Sequence, residues 1–278
     1  MRDVSFGQYY PTNSVVHRLD PRMKLVLTIV YITLIFFIQT FTGYGLVALF
    51  VLFLVLLSRV PLLKILKSLR AVIFLVVFTV ILTVLFYRGE AGDLLWGVWI
   101  IRIYRTALIN AGKMALRIIL LVLGPSVLTL TTTPVELTDA IERLLKPLSY
   151  IKVPVHELAI IMSIALRLIP TLVEETDKII SAQKARGADF ESGNLFKRAK
   201  AMLPVLIPLF VSSFRRADEL ADAMDSRCYR GAKGRTRMKI MKLSFKDFAA
   251  FFIMAAFFFV ILLLRYNWFS IGFIAALV

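Results

Sequence analysis

The sequence predicts an all-α integral membrane protein with about five transmembrane helices and a cytoplasmic region of one short and two long amphipathic helices. Three observations lead there. The 278 residues are 59% apolar with a mean hydropathy of +0.80, too high for an ordinary soluble domain. The apolar residues are gathered into charge-free runs close to the roughly 20 residues that a spanning helix requires. The charges between those runs are strongly biased toward Lys and Arg, with a net charge of +16. Such a charge would suit a nucleic-acid partner, but its placement in connections between apolar runs is the positive-inside pattern.

Taken in order, the predicted spans are 23–40, 42–58, 70–87, 113–132 and 247–264. Met23–Gln39 carries a single charge, at its start, while Gly45–Leu57, Ala71–Phe86, Ile118–Thr133 and Phe248–Leu264 carry none. The first run has no cleavage pattern and exceeds the apolar stretch of a signal peptide, so it reads as a retained span. Pro21 suits its first turn and Asp20 its N-cap. Arg2, Arg18, Arg22 and Lys24 precede it, and Arg59, Lys64, Lys67 and Arg70 join the second and third spans. The largest share of basic residues lies between the fourth and fifth. This places the N-terminus in the cytoplasm and the C-terminus outside. Trp96 and Trp99 mark 88–106 as an interfacial segment. The division expected is a membrane domain over 1–132, a cytoplasmic domain over 133–246, and a last helix with its tail over 247–278.

The cytoplasmic domain opens with PVELTDAIERLLKPL, where Thr133 and Glu136 are spaced as a capping box. Two further apolar clusters, 158–173 and 203–214, read as parts of long helices rather than spans. Arg167 interrupts the first, and Pro204 and Pro208 sit in the second, which is only 12 residues long. Leu158, Ile161, Ala165, Leu168, Leu172, Ile179 and Gln183 recur at helical spacing. So do Leu203, Ile207, Phe210, Phe214, Ala217, Leu220 and Met224. Both helices end on the same pattern: Ala182–Gly187 reads AQKARG and Ala223–Cys228 reads AMDSRC, with Arg186 and Arg227 in equivalent places. Arginine at a helix C-terminus is favoured by the dipole. It is also the side chain best suited to a planar, multidentate contact with a partner. Duplication of the pattern suggests a partner that is itself doubled.

Several segments together resemble a known family. SFGQYYPTNSVVHRLDPRMKL near the N-terminus is followed in order by TTTPVELTDAIERLLKPL, ALRLIPTLVEE, AQKARGADF, IPLFVSSFRRADELADAMDSRCYRG and GRTR. This succession is similar to the transmembrane T subunits of energy-coupling factor transporters, and it covers most of residues 5–237. The resemblance implies a non-catalytic scaffold that holds a membrane-embedded, substrate-binding S subunit and a pair of cytosolic ABC ATPases. It implies that two coupling helices end in Ala-Arg-Gly-like motifs that dock one in each ATPase. Here these are Ala185, Arg186 and Gly187, and Ser226, Arg227 and Cys228. The second departs from the family form at Ser226 and Cys228, so Gly231 is expected to supply the helix stop. The chain itself would need no cofactor, because ATP is bound by the partner ATPases. The transported substrate, a vitamin or metal ion, is chosen by the S subunit.

Other functions lack their chemistry. There is no HExxH, paired CxxC, Walker lysine loop or GxSxG. Cys228 is the sole cysteine, which excludes an internal disulfide, and His17 and His156 are far apart in sequence. The alternative of a self-contained secondary transporter would require ionisable groups near the centres of the spans, and the predicted spans hold almost none.

Overall fold

The computed structural model describes residues 9–87, 94–98, 101–190, 192, 194–231 and 243–265. It contains α1 (Pro21–Phe37), α2 (Phe41–Ser58), α3 (Leu62–Phe86), β1 (Leu94–Val98), β2 (Ile101–Tyr104), α4 (Arg105–Thr131), α5 (Pro134–Leu145), a 3₁₀ turn (Lys146–Ile151), α6 (Val155–Ala185), α7 (Leu195–Ser226) and α8 (Phe245–Arg265). The architecture is all-helical apart from one antiparallel hairpin, in which Gly97 pairs with Arg102 and Val98 with Ile101. That hairpin occupies the segment expected to lie at the interface. Residues 88–93, Trp99 and 266–278 fall outside the described residues, as do Gly234–Arg237.

Two spans run longer than the sequence suggested. α3 begins at Leu62 and α4 at Arg105, each eight positions before the expected start. Lys64, Lys67, Arg70, Arg105 and Lys113 lie inside helices, because a charge limits where lipid can contact a helix but does not end its hydrogen bonding. By length and composition, five helices among the described residues suffice to cross a membrane: α2, α3, α4, α6 and α8. This set differs from the expected one. α6, with 31 residues, qualifies despite Arg167, while α1, with 17 residues, falls just short of 18.

The chain divides into two compact units, one of residues 7–140 with 241–278 and the other built on 141–240. In the first, α1, α2, α4 and α8 surround a core that includes Leu34, Ile35, Val47, Val51, Leu120 and Ile261. Gly124 of α4 lets the ring of Tyr31 lie against the α4 backbone, and the Tyr31 hydroxyl donates to Leu120 O at 2.8 Å. Arg117, the charge nearest the apolar part of α4, donates through Nε to the Tyr44 hydroxyl (2.9 Å) and through Nη2 to Ile38 O (3.2 Å). Its charge therefore meets polar partners instead of lipid.

A polar clasp gathers the helix ends of this unit. Asp20 caps α1 by accepting from Arg22 N at 2.9 Å, as expected, and also pairs with the Arg22 guanidinium at 2.7 Å. The Asp20 N–H in turn donates to buried Asp247 of α8 at 2.8 Å, and Asp247 also accepts from Ser244 N at 2.7 Å. Lys24 donates through Nζ to Thr131 O (2.9 Å), His17 O (3.2 Å) and Thr132 Oγ1 (3.3 Å), which satisfies carbonyls at the end of α4. His17, packed into the segment before α1, has its pKa lowered, chiefly by burial and further by the Lys24 charge, against the opposing contact with Tyr10 O. The sequence HRLDPR reads as a cap plus inside charges; the structure adds that the cap is anchored 227 residues away.

In the second unit α6 packs on α7. Glu175 of α6 accepts from Ser212 Oγ and Arg216 Nη2 of α7, joining the helices through one carboxylate. His156 at the start of α6 meets Glu142 of α5 at 2.9 Å, a structural contact of the kind expected for it. In the first unit, Thr133 caps α5 by accepting from Glu136 N at 3.3 Å.

Candidate functional site

The two arginine ends are built by the same local mechanism. α6 finishes at Ala185, and Arg186 is the half-helical cap residue with φ −84° and ψ 5°. Gly187 then turns left-handed at φ +86°, its N–H reaching Lys184 O at 3.0 Å while Ala188 N reaches Gln183 O at 3.0 Å. These two bonds are a Schellman motif, which satisfies carbonyls that a helix end otherwise leaves open. α7 finishes at Ser226, with Arg227 as cap at φ −91° and ψ 12°. Cys228 turns left-handed at φ +55°, its N–H reaching Asp225 O at 2.9 Å while Tyr229 N reaches Met224 O at 3.0 Å. The two bonds of the motif fall at equivalent positions in both ends.

This corrects one expectation. The stop of α7 is supplied by Cys228 itself and not by Gly231, although Gly231 is also left-handed at φ +80°. A Cβ disfavours this left-handed conformation by about 1–2 kcal/mol. Two well-made hydrogen bonds at the helix end offset that cost. Cys228→Gly is therefore expected to relieve the strain, partly offset by the freer unfolded chain, leaving stability within about 1 kcal/mol of the parent or above it. Cys228→Ile, β-branched and poorer still in this conformation, should fray the last turn. Hydrogen exchange at the amides of Cys228 and Tyr229 checks this: the glycine variant keeps their protection and the isoleucine variant loses it.

Ala185, Arg186 and Gly187, and likewise Ser226, Arg227 and Cys228, are all exposed. Neither the Arg186 nor the Arg227 guanidinium has a hydrogen bond or ion pair among the described residues. The caps thus fix the backbone of each arginine and leave its five side-chain donors unspent among the described residues.

Sequence reasoning missed what holds these ends in register. Eleven positions separate Glu175 from Arg186, and eleven separate its partner Arg216 from Arg227. Eleven residues are three helical turns, about 16 Å. The pin between α6 and α7 therefore lies equally far along each helix from its arginine. The signal was present in the sequence as Glu175 and Arg216, but that they face each other depends on how two helices cross, which spacing along one chain does not state. The apolar stripe of α7 is also placed: Leu203, Ile207, Phe210 and Phe214 are exposed, while Val205 on another face is buried.

Residues 12–239 match the protein family described as Cobalt transport protein. The chain is 53% identical over 250 residues to the energy-coupling factor transporter transmembrane protein EcfT of Clostridium kluyveri, covering 90% of this chain and 92% of that one. It is 49% identical to the EcfT of Ruminiclostridium cellulolyticum, covering 97% and 100%. It is 45% identical to that of Bacillus subtilis, covering 89% and 92%. The matched length contains α1 to α7 and both arginine caps, and the role is that of a multi-pass, non-catalytic transporter component. The chain belongs to the family of energy-coupling factor transporter transmembrane proteins.

Proposed function

We infer that this protein is the coupling scaffold of an energy-coupling factor transporter, joining a pair of cytosolic ABC ATPases to a substrate-binding S subunit in the membrane. ATP hydrolysis by the partners would drive uptake of a micronutrient, a vitamin or a metal ion. The observation that carries this reading is the pair of identical helix ends, each presenting an exposed arginine three turns from one shared pin. Two like contacts at equal arm lengths suit a pseudo-symmetric pair of ATPases, one taking Ala185, Arg186 and Gly187, the other Ser226, Arg227 and Cys228. Closure of the pair on ATP would move both arms about the Glu175 contact. The apolar stripe of α7, exposed among the described residues, offers the S subunit a surface.

The reading requires that 133–246 be cytoplasmic, with the N-terminus on the same side, and that α6 not cross the membrane even though its length permits it. Arg167 supports this, since a central arginine costs about 2.5–3.5 kcal/mol in a spanning helix. The Glu175–Arg216 pin supports it too, because α7 contributes charge and two internal prolines and is not among the helices apolar enough to span. After replacement of Cys228, single cysteines at Lys152 and Ser192 are expected to resist a membrane-impermeant thiol reagent in sealed right-side-out cells and to react once the cells are opened. Labelling of either from outside refutes the topology. Copurification of two ATPase chains with the tagged protein tests the assembly itself.

A further inference from the structure

The membrane unit contains an apolar cavity of about 280 Å³ that the coupling role does not use. Its floor is α1 and α4, through Leu27, Tyr31, Gly124 and Val127. One wall is the C-terminal half of α2, through Leu54 and Leu57, and the other is the N-terminal half of α8, through Ala250 and Met254. Phe50 of α2 and Phe257 of α8 stack with centroids 4.4 Å apart, joining the two walls at the end remote from the helix termini. Phe53 and Ile253, also in the lining, are exposed, so the cavity is open along the flank between α2 and α8.

Polarity is confined to one end. Lys24 in the first turn of α1, Lys246 in the first turn of α8 and Thr131 at the close of α4 all line the cavity at the level where the helices terminate. The acidic groups of that end are engaged. Asp20 pairs with Arg22, Asp247 accepts the N–H groups of Asp20 and Ser244, and Glu136 lies in the field of Lys24. Lys24 is itself held by two carbonyls and a hydroxyl. Lys246 is exposed at the mouth, where its ammonium can meet a headgroup.

An apolar cavity of about 150 Å³ already binds a small hydrocarbon in preference to water, because its walls offer water no hydrogen bonds. This one is nearly twice that size and opens on the side where lipid chains lie. A void there would forfeit dispersion contacts along four helices. We propose that the groove between α2 and α8 binds one acyl chain of an anionic phospholipid, with the chain on Val127 and Met254 and the phosphate at Lys246. The shape sets the chain and the charge at the mouth sets the headgroup.

The test uses the full chain in phosphatidylcholine vesicles doped with a phospholipid bearing a photoactivatable diazirine on its acyl chain, supplied with either a phosphatidylglycerol or a phosphatidylcholine headgroup. Adduct sites are mapped by peptide mass spectrometry. The expected adducts from the glycerol probe fall on Val127, Leu128, Ala250 and Met254, about fivefold above the choline probe at equal mole fraction, the preference one lysine near the surface confers. Lys246→Gln, an exposed change, should remove that preference and keep the chain adducts. Ala250→Phe should empty the groove of label while leaving adducts on outward-facing Phe74. Because the parent protein alone reports the adduct positions, the result stands even if Ala250→Phe does not fold. Labelling spread evenly over outward-facing residues, or equal groove labelling from both headgroups in the parent, overturns the proposal.

Discussion

Arg186→Ala combined with Arg227→Ala is expected to abolish copurification of the two ATPases and, with it, substrate uptake, while the chain still accumulates in the membrane. Each guanidinium is exposed, and neither has a partner among the described residues, so its removal takes nothing from the fold beyond the dipole contribution of about 0.3–1 kcal/mol at a helix end. In the proposed complex each arginine meets a carboxylate in a groove. Truncation there leaves the partner charge buried and unpaired, at about 2–5 kcal/mol per site, or roughly 30-fold to several thousand-fold in affinity. Single variants should retain partial assembly, because the surviving contact raises the effective concentration at the other. Lysine should rescue poorly, since a point ammonium cannot reproduce a bidentate fork. The equal arms add a sharper expectation: the two single variants should be impaired to comparable degrees, because the caps are the same motif at the same distance from the pin. Pull-down and uptake by both singles and the double decide it. A double variant that assembles and transports like the parent would reduce both arginines to ordinary helix ends.

Gly124→Ala is expected to be among the most damaging single-methyl additions in the membrane unit. A Cβ at this position would stand 2.1 Å from Cε1 and 2.5 Å from Cδ1 of Tyr31. Tyr31 is only 3% exposed and its hydroxyl is tied to Leu120 O, so the ring can yield only by breaking that bond and swinging toward the neighbouring cavity. Overpacking of this kind costs about 1–3 kcal/mol. Loss of the Tyr31 hydrogen bond, if the ring is driven out, leaves a buried hydroxyl unsatisfied at a further 1–3 kcal/mol or so. The expected result is a large drop in thermal stability of the detergent-purified protein, together with lower membrane yield. Small residues at helix crossings have this role in membranes, where close backbone approach substitutes for a hydrophobic driving force. Tyr31→Leu in the Gly124→Ala background should recover part of the loss, with a coupling of about 0.5–3 kcal/mol between the two positions. Thermal stability of Gly124→Ala equal to that of the parent, or no coupling with Tyr31, would show that α1 and α4 do not meet as described.

Much of this architecture is written in local sequence. Charge-free runs near membrane length identify α2, α3, α4 and α8, because burial of apolar surface in lipid is decided residue by residue. Asp20 before Pro21, Thr133 before Glu136 and Gly187 after Arg186 announce helix boundaries, because caps act within one turn. The duplicated Ala-x-x-[Ala/Ser]-Arg pattern and the order of motifs along the chain were enough to bring the family into view.

What lay outside the reach of sequence was whatever depends on two distant segments meeting. That Asp247 anchors the cap of α1, that Lys24 closes the end of α4, and that Glu175 meets Ser212 and Arg216 all follow from packing between helices. A pattern along one helix shows which face is apolar but not which neighbour covers it, and the stripe of α7 is exposed among the described residues. Cys228 shows the same limit at shorter range. Residue preference argued against a left-handed cap there, and two hydrogen bonds at the helix end overrode a cost of about 1–2 kcal/mol. The sequence by itself determined the membrane class, most helices and the pair of arginines. The tertiary structure decided that those arginines sit on equivalent caps at equal distances from a single contact, because that equivalence is a property of two helices packed together.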